Sequence, residues 1–128
     1  MNPLSFDHIH YRSSDFDKSR EFYVGIMEAI ELSPVELLEK PNLQFVLGGV
    51  TLVFAASAAD PAPPEPASSR LGVYHIAFLV EDCDAATEYY RQKGAQVAKE
   101  PFMASDYIRA SFLAAPDGMM VELKEMVC

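Results

Sequence analysis

The stretch His8-Ile-His-Tyr-Arg-Ser-Ser-Asp-Phe-Asp-Lys-Ser-Arg-Glu-Phe-Tyr23 returns, shifted by 67 positions, as His75-Ile-Ala-Phe-Leu-Val-Glu-Asp-Cys-Asp-Ala-Ala-Thr-Glu-Tyr-Tyr90. Six of the sixteen positions are identical: His8/His75, Ile9/Ile76, Asp15/Asp82, Asp17/Asp84, Glu21/Glu88 and Tyr23/Tyr90. Self-similarity of this kind marks one supersecondary unit used twice. The ends of the two halves agree as well, at a shift of 69, where Gly49-Val-Thr-Leu-Val-Phe54 falls on Gly118-Met-Met-Val-Glu-Leu123. The chain therefore reads as one domain over residues 1–128, built from module 1 (about 5–56) and module 2 (about 72–126). Residues 57–70 hold four prolines and no aliphatic side chain larger than alanine, which predicts an extended linker.

Each module opens with alternating apolar and polar residues, Phe6–Arg12 and Tyr74–Val80, the period of a half-buried strand. Asp15/Asp17 and Asp82/Asp84 then supply carboxylates suited to capping a helix start. Phe16, Tyr23 and Ile30 recur at seven-residue spacing, with Phe22 and Ile26 in the same stripe. Cys83, Ala86 and Tyr90 repeat that stripe, and Gly94 is a helix stop. Further strands are expected at 43–47, 50–54, 108–113 and 119–124, with fainter signals at 31–38 and 95–99. Pro34 argues against a central position for the segment at 31–38. The class is α+β: two tandem βαβββ modules making a cupped mixed sheet with helices on its outer face.

Half of the 128 residues are hydrophobic, enough to bury a core without disulfides. The net charge of -9, with no local Lys/Arg cluster, excludes a nucleic-acid partner and an anionic membrane surface. Two cysteines make no disulfide framework, and no apolar run is long enough to span a bilayer. A cytoplasmic protein with a small-molecule substrate is the expectation.

Side chains alternate faces along a strand. With Ile9, Tyr11, Ile76, Phe78 and Val80 against the helices, His8, His10, Arg12, His75, Ala77 and Leu79 face the other way. Glu122 shares that open side on its own strand, between Val121 and Leu123. The repeat makes His8 and His75 equivalent across a shared cup, so His8, His75 and Glu122 form a candidate 2-His-1-carboxylate metal site. Such a donor set suits one divalent transition metal (Fe, Mn, Ni, Co or Zn) and leaves coordination positions for substrate. His10, one strand repeat from His8, is a candidate acid or base, as is Glu122. Arg12, Tyr107 and Arg109 are candidate substrate contacts near the rim. Cys83 sits in the apolar stripe and reads as core.

Asp7-His8 with Asp15 and Lys18-Ser-Arg-Glu-Phe-Tyr23, the mid-chain Tyr74-His-Ile-Ala-Phe with Asp82, and Ala115-Pro-Asp-Gly-Met-Met-Val-Glu-Leu123 together resemble the vicinal oxygen chelate (glyoxalase/bleomycin-resistance/dioxygenase) superfamily. The likeness covers nearly the whole chain and is nearest in look to glyoxalase I and methylmalonyl-CoA epimerase-like proteins. It implies paired βαβββ modules, a divalent metal, homodimers, and substrates that chelate through two neighbouring oxygens. His8, His75 and Glu122 stand where the family's ligands stand. The resemblance implies a metal-dependent lyase or isomerase. Glyoxalase I and the epimerase usually add a fourth ligand, Glu or Gln, where the internal alignment puts Val53. That departure leaves two alternatives: three-ligand chemistry of the extradiol dioxygenase or fosfomycin thiol transferase kind, and non-catalytic binding of the bleomycin-resistance kind.

Overall fold

The computed structural model describes residues 3–57 and 71–127; the expected linker, apart from Ser57, and Cys128 lie outside them. The chain divides into two units, Met1–Ala59 and Asp60–Cys128, which correspond to the two repeats.

Unit 1 runs β1 (His8–Ser13), α1 (Phe16–Arg20), β2 (Ile30–Leu37), β3 (Lys40–Leu47) and β4 (Val50–Ala56). Its sheet has the order β1-β4-β3-β2, with β1 parallel to β4 and the remaining pairs antiparallel. Unit 2 runs β5 (Ile76–Leu79), α2 (Cys83–Gln92), β6 (Gln96–Met103), β7 (Ile108–Ala114) and β8 (Met120–Met126), in the order β5-β8-β7-β6. Each unit is thus a βαβββ module with a four-stranded mixed sheet. The ladders coincide pair for pair: His10↔Val53 matches Ala77↔Glu122, and Phe45↔Leu52 matches Leu113↔Val121.

Both helices start as the acidic positions predict. Asp15 accepts hydrogen bonds from the Asp17 and Lys18 backbone N–H groups, and Asp82 from that of Ala85. The first helix changes character after Arg20, with π-type turns over Glu21–Ile26. There the Met27 N–H reaches back five residues to the Phe22 carbonyl, at 2.9 Å.

The two faint strand signals are full eight-residue strands, and both lie at a sheet edge. Pro34 sits where the β2 register shifts between Leu32 and Val35; Pro101 sits where that of β6 shifts between Lys99 and Phe102. A residue without an N–H is tolerated at an edge and at a bulge, so both prolines are accommodated there. The opening strands are displaced or shorter than their alternation suggests, starting at His8 and Ile76 instead of Phe6 and Tyr74.

In each unit the helix-facing side of the sheet carries the core. Tyr23, Phe45, Leu52 and Phe54 are buried in the first, with the Tyr23 and Phe45 rings 5.0 and 5.3 Å from that of Phe54. Cys83, Leu113, Val121 and Leu123 are buried in the second. The Cys83 thiol donates to the Leu123 carbonyl at 3.5 Å, which bears out its reading as core.

Candidate metal and substrate site

In the second module, His75 immediately precedes β5, and Glu122 lies on β8 opposite Ala77 on one side and Phe112 on the other. The small side chain of Ala77 leaves room beside the carboxylate. His75 Nε2 is 2.9 Å from Glu122 Oε2, and the two side chains keep 23% and 14% of their surface exposed. Rings wall the pair: Phe112 lies 5.0 Å and Tyr74 4.5 Å from the imidazole, and Phe102 stacks on Phe112. A carboxylate among aromatic groups costs free energy unless a donor or cation meets it, and here the imidazole does.

His75 Nδ1 is buried with no hydrogen-bond partner among the described residues. One imidazole and one carboxylate form a donor pair that suits a first-row divalent ion. With metal–ligand distances of about 2.0–2.2 Å, neighbouring ligand atoms on one ion lie about 3 Å apart, the spacing this pair shows. The residues fit the group.

In the first module His8 Nδ1 is 2.6 Å from Asp7 Oδ2. A carboxylate at Nδ1 draws the ring proton there and leaves the Nε2 lone pair free, the arrangement that orients a metal-ligating histidine. His10 is held differently. Asn42 donates through Nδ2 to the Lys40 carbonyl at 3.0 Å, which fixes the amide, so its Oδ1 accepts from His10 Nε2 at 2.9 Å. The neutral His10 ring thus carries its proton on Nε2 and keeps Nδ1 as an acceptor. The two imidazoles lie 6.0 Å apart, centroid to centroid. Val53 is the β4 partner of His10, at the position that Glu122 fills in the second module. Arg12 follows on the same face and is exposed.

Tyr107 lies in the exposed approach to β7. Arg109, expected at the rim of the open face, lies on the other side of its strand. Its β8 partner is Glu125, and it shares a face with Ser111 and Leu113, which are buried in the core. Its guanidinium grips Asp84 with bonds of 2.6 and 2.9 Å. The Arg109 hydrogen bond lowers the Asp84 pKa below the ordinary carboxylate range. Asp82, Asp84 and Glu125 bring three carboxylates within 4.8 Å, but each has a structural task. Asp82 caps α2, Asp84 holds Arg109, and Glu125 accepts from the Cys83 N–H at 2.8 Å.

Asn42, Asp7 and Phe112 escaped assignment from sequence. Asn42 had a signal, since asparagine is poorly suited to a strand and stands directly before an apolar run. Phe112 had none beyond its strand.

The family model described as the Glyoxalase/Bleomycin resistance protein/Dioxygenase superfamily matches residues 5–123. A 2-epi-5-epi-valiolone epimerase from Actinomyces sp is 29% identical, over 94% of this chain and 78% of its own length. A 4-hydroxyphenylpyruvate dioxygenase from Danio rerio is 27% identical over 80% of this chain, which spans only 28% of that protein. Among solved structures, a glyoxalase family protein from Enterococcus faecalis superposes with a TM-score of 0.77 at 27% identity, covering 94% of this chain and 97% of its own.

Proposed function

Because the chain belongs to the glyoxalase/bleomycin resistance protein/dioxygenase superfamily, we propose that it is a divalent-metal-dependent enzyme acting on a small substrate through two neighbouring oxygens, as a lyase or isomerase. The observation that carries this reading is the His75–Glu122 pair, with Nε2 and Oε2 2.9 Å apart among aromatic rings. His75 and Glu122 would supply two ligands from the second module; the third ligand in this reading is His8, as the internal repeat and the family resemblance imply, with its ring oriented by Asp7. When bound, the metal (Fe, Mn, Ni, Co or Zn) supplies Lewis-acid polarisation of a substrate oxygen, which acidifies the neighbouring C–H.

The chain's own residues do the rest. His10, with Nδ1 open and Nε2 anchored on Asn42, takes and returns a proton; Glu122 is the second candidate for that task. Arg12 and Tyr107, both exposed, are the polar substrate contacts of this reading. Arg109 joins them only by releasing Asp84. Tyr74, Phe102 and Phe112 exclude water around Glu122. The functional unit in this reading is a homodimer. Large apolar side chains left in water support it: Phe6 and Ile30 in the first module, Val73 and Leu79 in the second.

Val53 favours a second reading. Valine neither binds metal nor carries a proton, so three-ligand, oxygen-activating chemistry of the dioxygenase kind fits the donor set equally, and one relative is a dioxygenase.

Elemental analysis of tag-free protein, beside His75→Ala and Glu122→Gln, tests the metal. About one transition metal per chain is expected in the parent protein and loss in both variants. A parent chain that holds none and takes up none of the five metals refutes the reading. Oxygen consumption with a catechol panel separates the two chemistries: uptake selects the second, and turnover without uptake selects the first.

A further inference from the structure

The first module contains a pocket of about 270 Å³ outside the His75–Glu122 pair, walled by Phe16, Leu37, Leu38, Pro41, Ala55 and Ala56. Its polar lining is confined to His10, Asn42 and Lys40. The opening follows from the register. Arg12 pairs with Ala55 across β1 and β4, and Asn42 precedes Leu43, which pairs with Phe54. Ala55 therefore lies between β1 and β3 on the face that carries His10. Its methyl group lets His10 and Asn42 meet over β4 and leaves space beside them.

The hairpin tip adds an independent observation. Leu37 and Lys40 close a two-residue turn in which Leu38 and Glu39 have φ of 52° and 63°. Such a turn strongly prefers Asn-Gly, Asp-Gly or Gly-Gly, yet this one holds leucine and glutamate. Leu38 is 96% exposed and lines the pocket. A strained turn that holds an apolar side chain in water gains nothing from folding. Strain retained at a pocket rim points to a ligand that covers the side chain.

We propose that this pocket binds a single-ring aromatic acid carrying a hydroxyl group. The volume is below the range typical of drug-sized ligands, which suits one ring. Leu37, Leu38 and Pro41 pack on its faces. The hydroxyl donates to His10 Nδ1, the nitrogen that the Asn42 bond leaves free. The carboxylate meets the Lys40 ammonium, which has no ion-pair partner among the described residues of a chain with net charge -9. The pocket shares His10 with the proposed function, but none of the metal ligands lines it and all of its wall residues belong to the first module, so binding there is testable without the metal.

The test is an amide NMR titration of the full, metal-stripped chain with 4-hydroxybenzoate and with benzoate. Saturable shifts at Leu37, Leu38, Asn42 and Ala55 are expected, with 4-hydroxybenzoate bound about tenfold more tightly. His10→Gln keeps a donor for Asn42 but lacks the ring acceptor, so the affinity ratio of the two probes falls toward one. Leu38→Asn relieves the turn and removes the apolar wall: melting rises by about 2–4 °C while probe affinity falls about five- to tenfold. Absence of pocket shifts, equal affinity of the two probes for the parent chain, or unchanged affinity in Leu38→Asn overturns the proposal. Loss of metal binding in the elemental analysis leaves all these outcomes as they are.

Discussion

At the residue scale, neighbouring positions on β1 have opposite tasks. His8 and His10 face away from the helix, while Tyr11 faces the core, stacked 5.0 Å from Phe54. The Tyr11 hydroxyl is buried without a hydrogen-bond partner among the described residues, and burial pushes its pKa up to about 12. The folded state therefore holds this proton where the unfolded chain releases it, so stability falls as pH rises from 10 toward 12. The shift amounts to about 2–3 kcal/mol before screening and to about 1–2 kcal/mol once the ring's partial exposure is counted. Tyr11→Phe should remove that alkaline loss and add about 1 kcal/mol at neutral pH, since an unmade hydrogen bond is no longer buried. Urea melts at pH 7 and pH 11 measure both, and a variant less stable at pH 7 contradicts the account. Asp7 permits a second residue-scale prediction. Asp7→Asn leaves the His8 imidazole without its charged acceptor and should weaken metal binding about 10- to 100-fold. Competition with a metal-indicator dye would show it; unchanged affinity would remove Asp7 from the site.

At the element scale, the first helix explains a mismatch between the repeats. Tyr23 and Tyr90 correspond at a shift of 67, but the paired strands that follow, Ile30↔Val46 and Gln96↔Ala114, put Ile30 on Gln96 at a shift of 66. The first module has one residue more between helix and strand, and the π-type turns over Glu21–Ile26 absorb it. Hydrophobic periodicity could not reveal this, because Phe22, Tyr23 and Ile26 fall on one stripe in either winding. Glu28, at φ 66°, stands at the left-handed position that Gly94 fills, at φ 110°, after α2. Gly25 is where the helix can be improved. A Cβ there meets nothing within 4 Å, and its φ lies outside the left-handed range. Gly25→Ala should stabilise the chain by about 0.5–1 kcal/mol through the entropy of the unfolded state. Chemical denaturation checks it, and a loss of stability would mean that the π-type turns need the glycine.

At the scale of the whole molecule, duplication is the organising fact. Strand order and ladder register recur in both modules, while side chains on the open faces diverge: Val53 against Glu122, His10 against Ala77. In the proposed reading the second module carries two metal ligands, His75 and Glu122, and the first carries one, His8, beside the pocket at His10. No helix among the described residues is long and apolar enough to cross a membrane. Sedimentation of the full chain should show a dimer at micromolar concentration. Leu79→Glu and Val73→Glu, at apolar positions left in water, should shift it toward monomer with little change in melting temperature. A monomeric parent chain would refute the homodimer.

What the sequence by itself determined is the repeat, the α+β class, the helix caps at Asp15 and Asp82, and the facing of His8, His75 and Glu122. Each is local: a period of two or 3.6, a carboxylate beside free N–H groups, a residue type at a spacing. Tertiary structure alone decided the Asn42 anchor on His10, 32 residues away, and the capture of Arg109 by Asp84, 25 residues away. It also decided the edge placement of β6 and the pocket over Ala55, whereas Pro34 already argued against a central place for β2. These depend on which strands become neighbours and in what register, and pairing brings together residues whose separation along the chain carries no periodic signal.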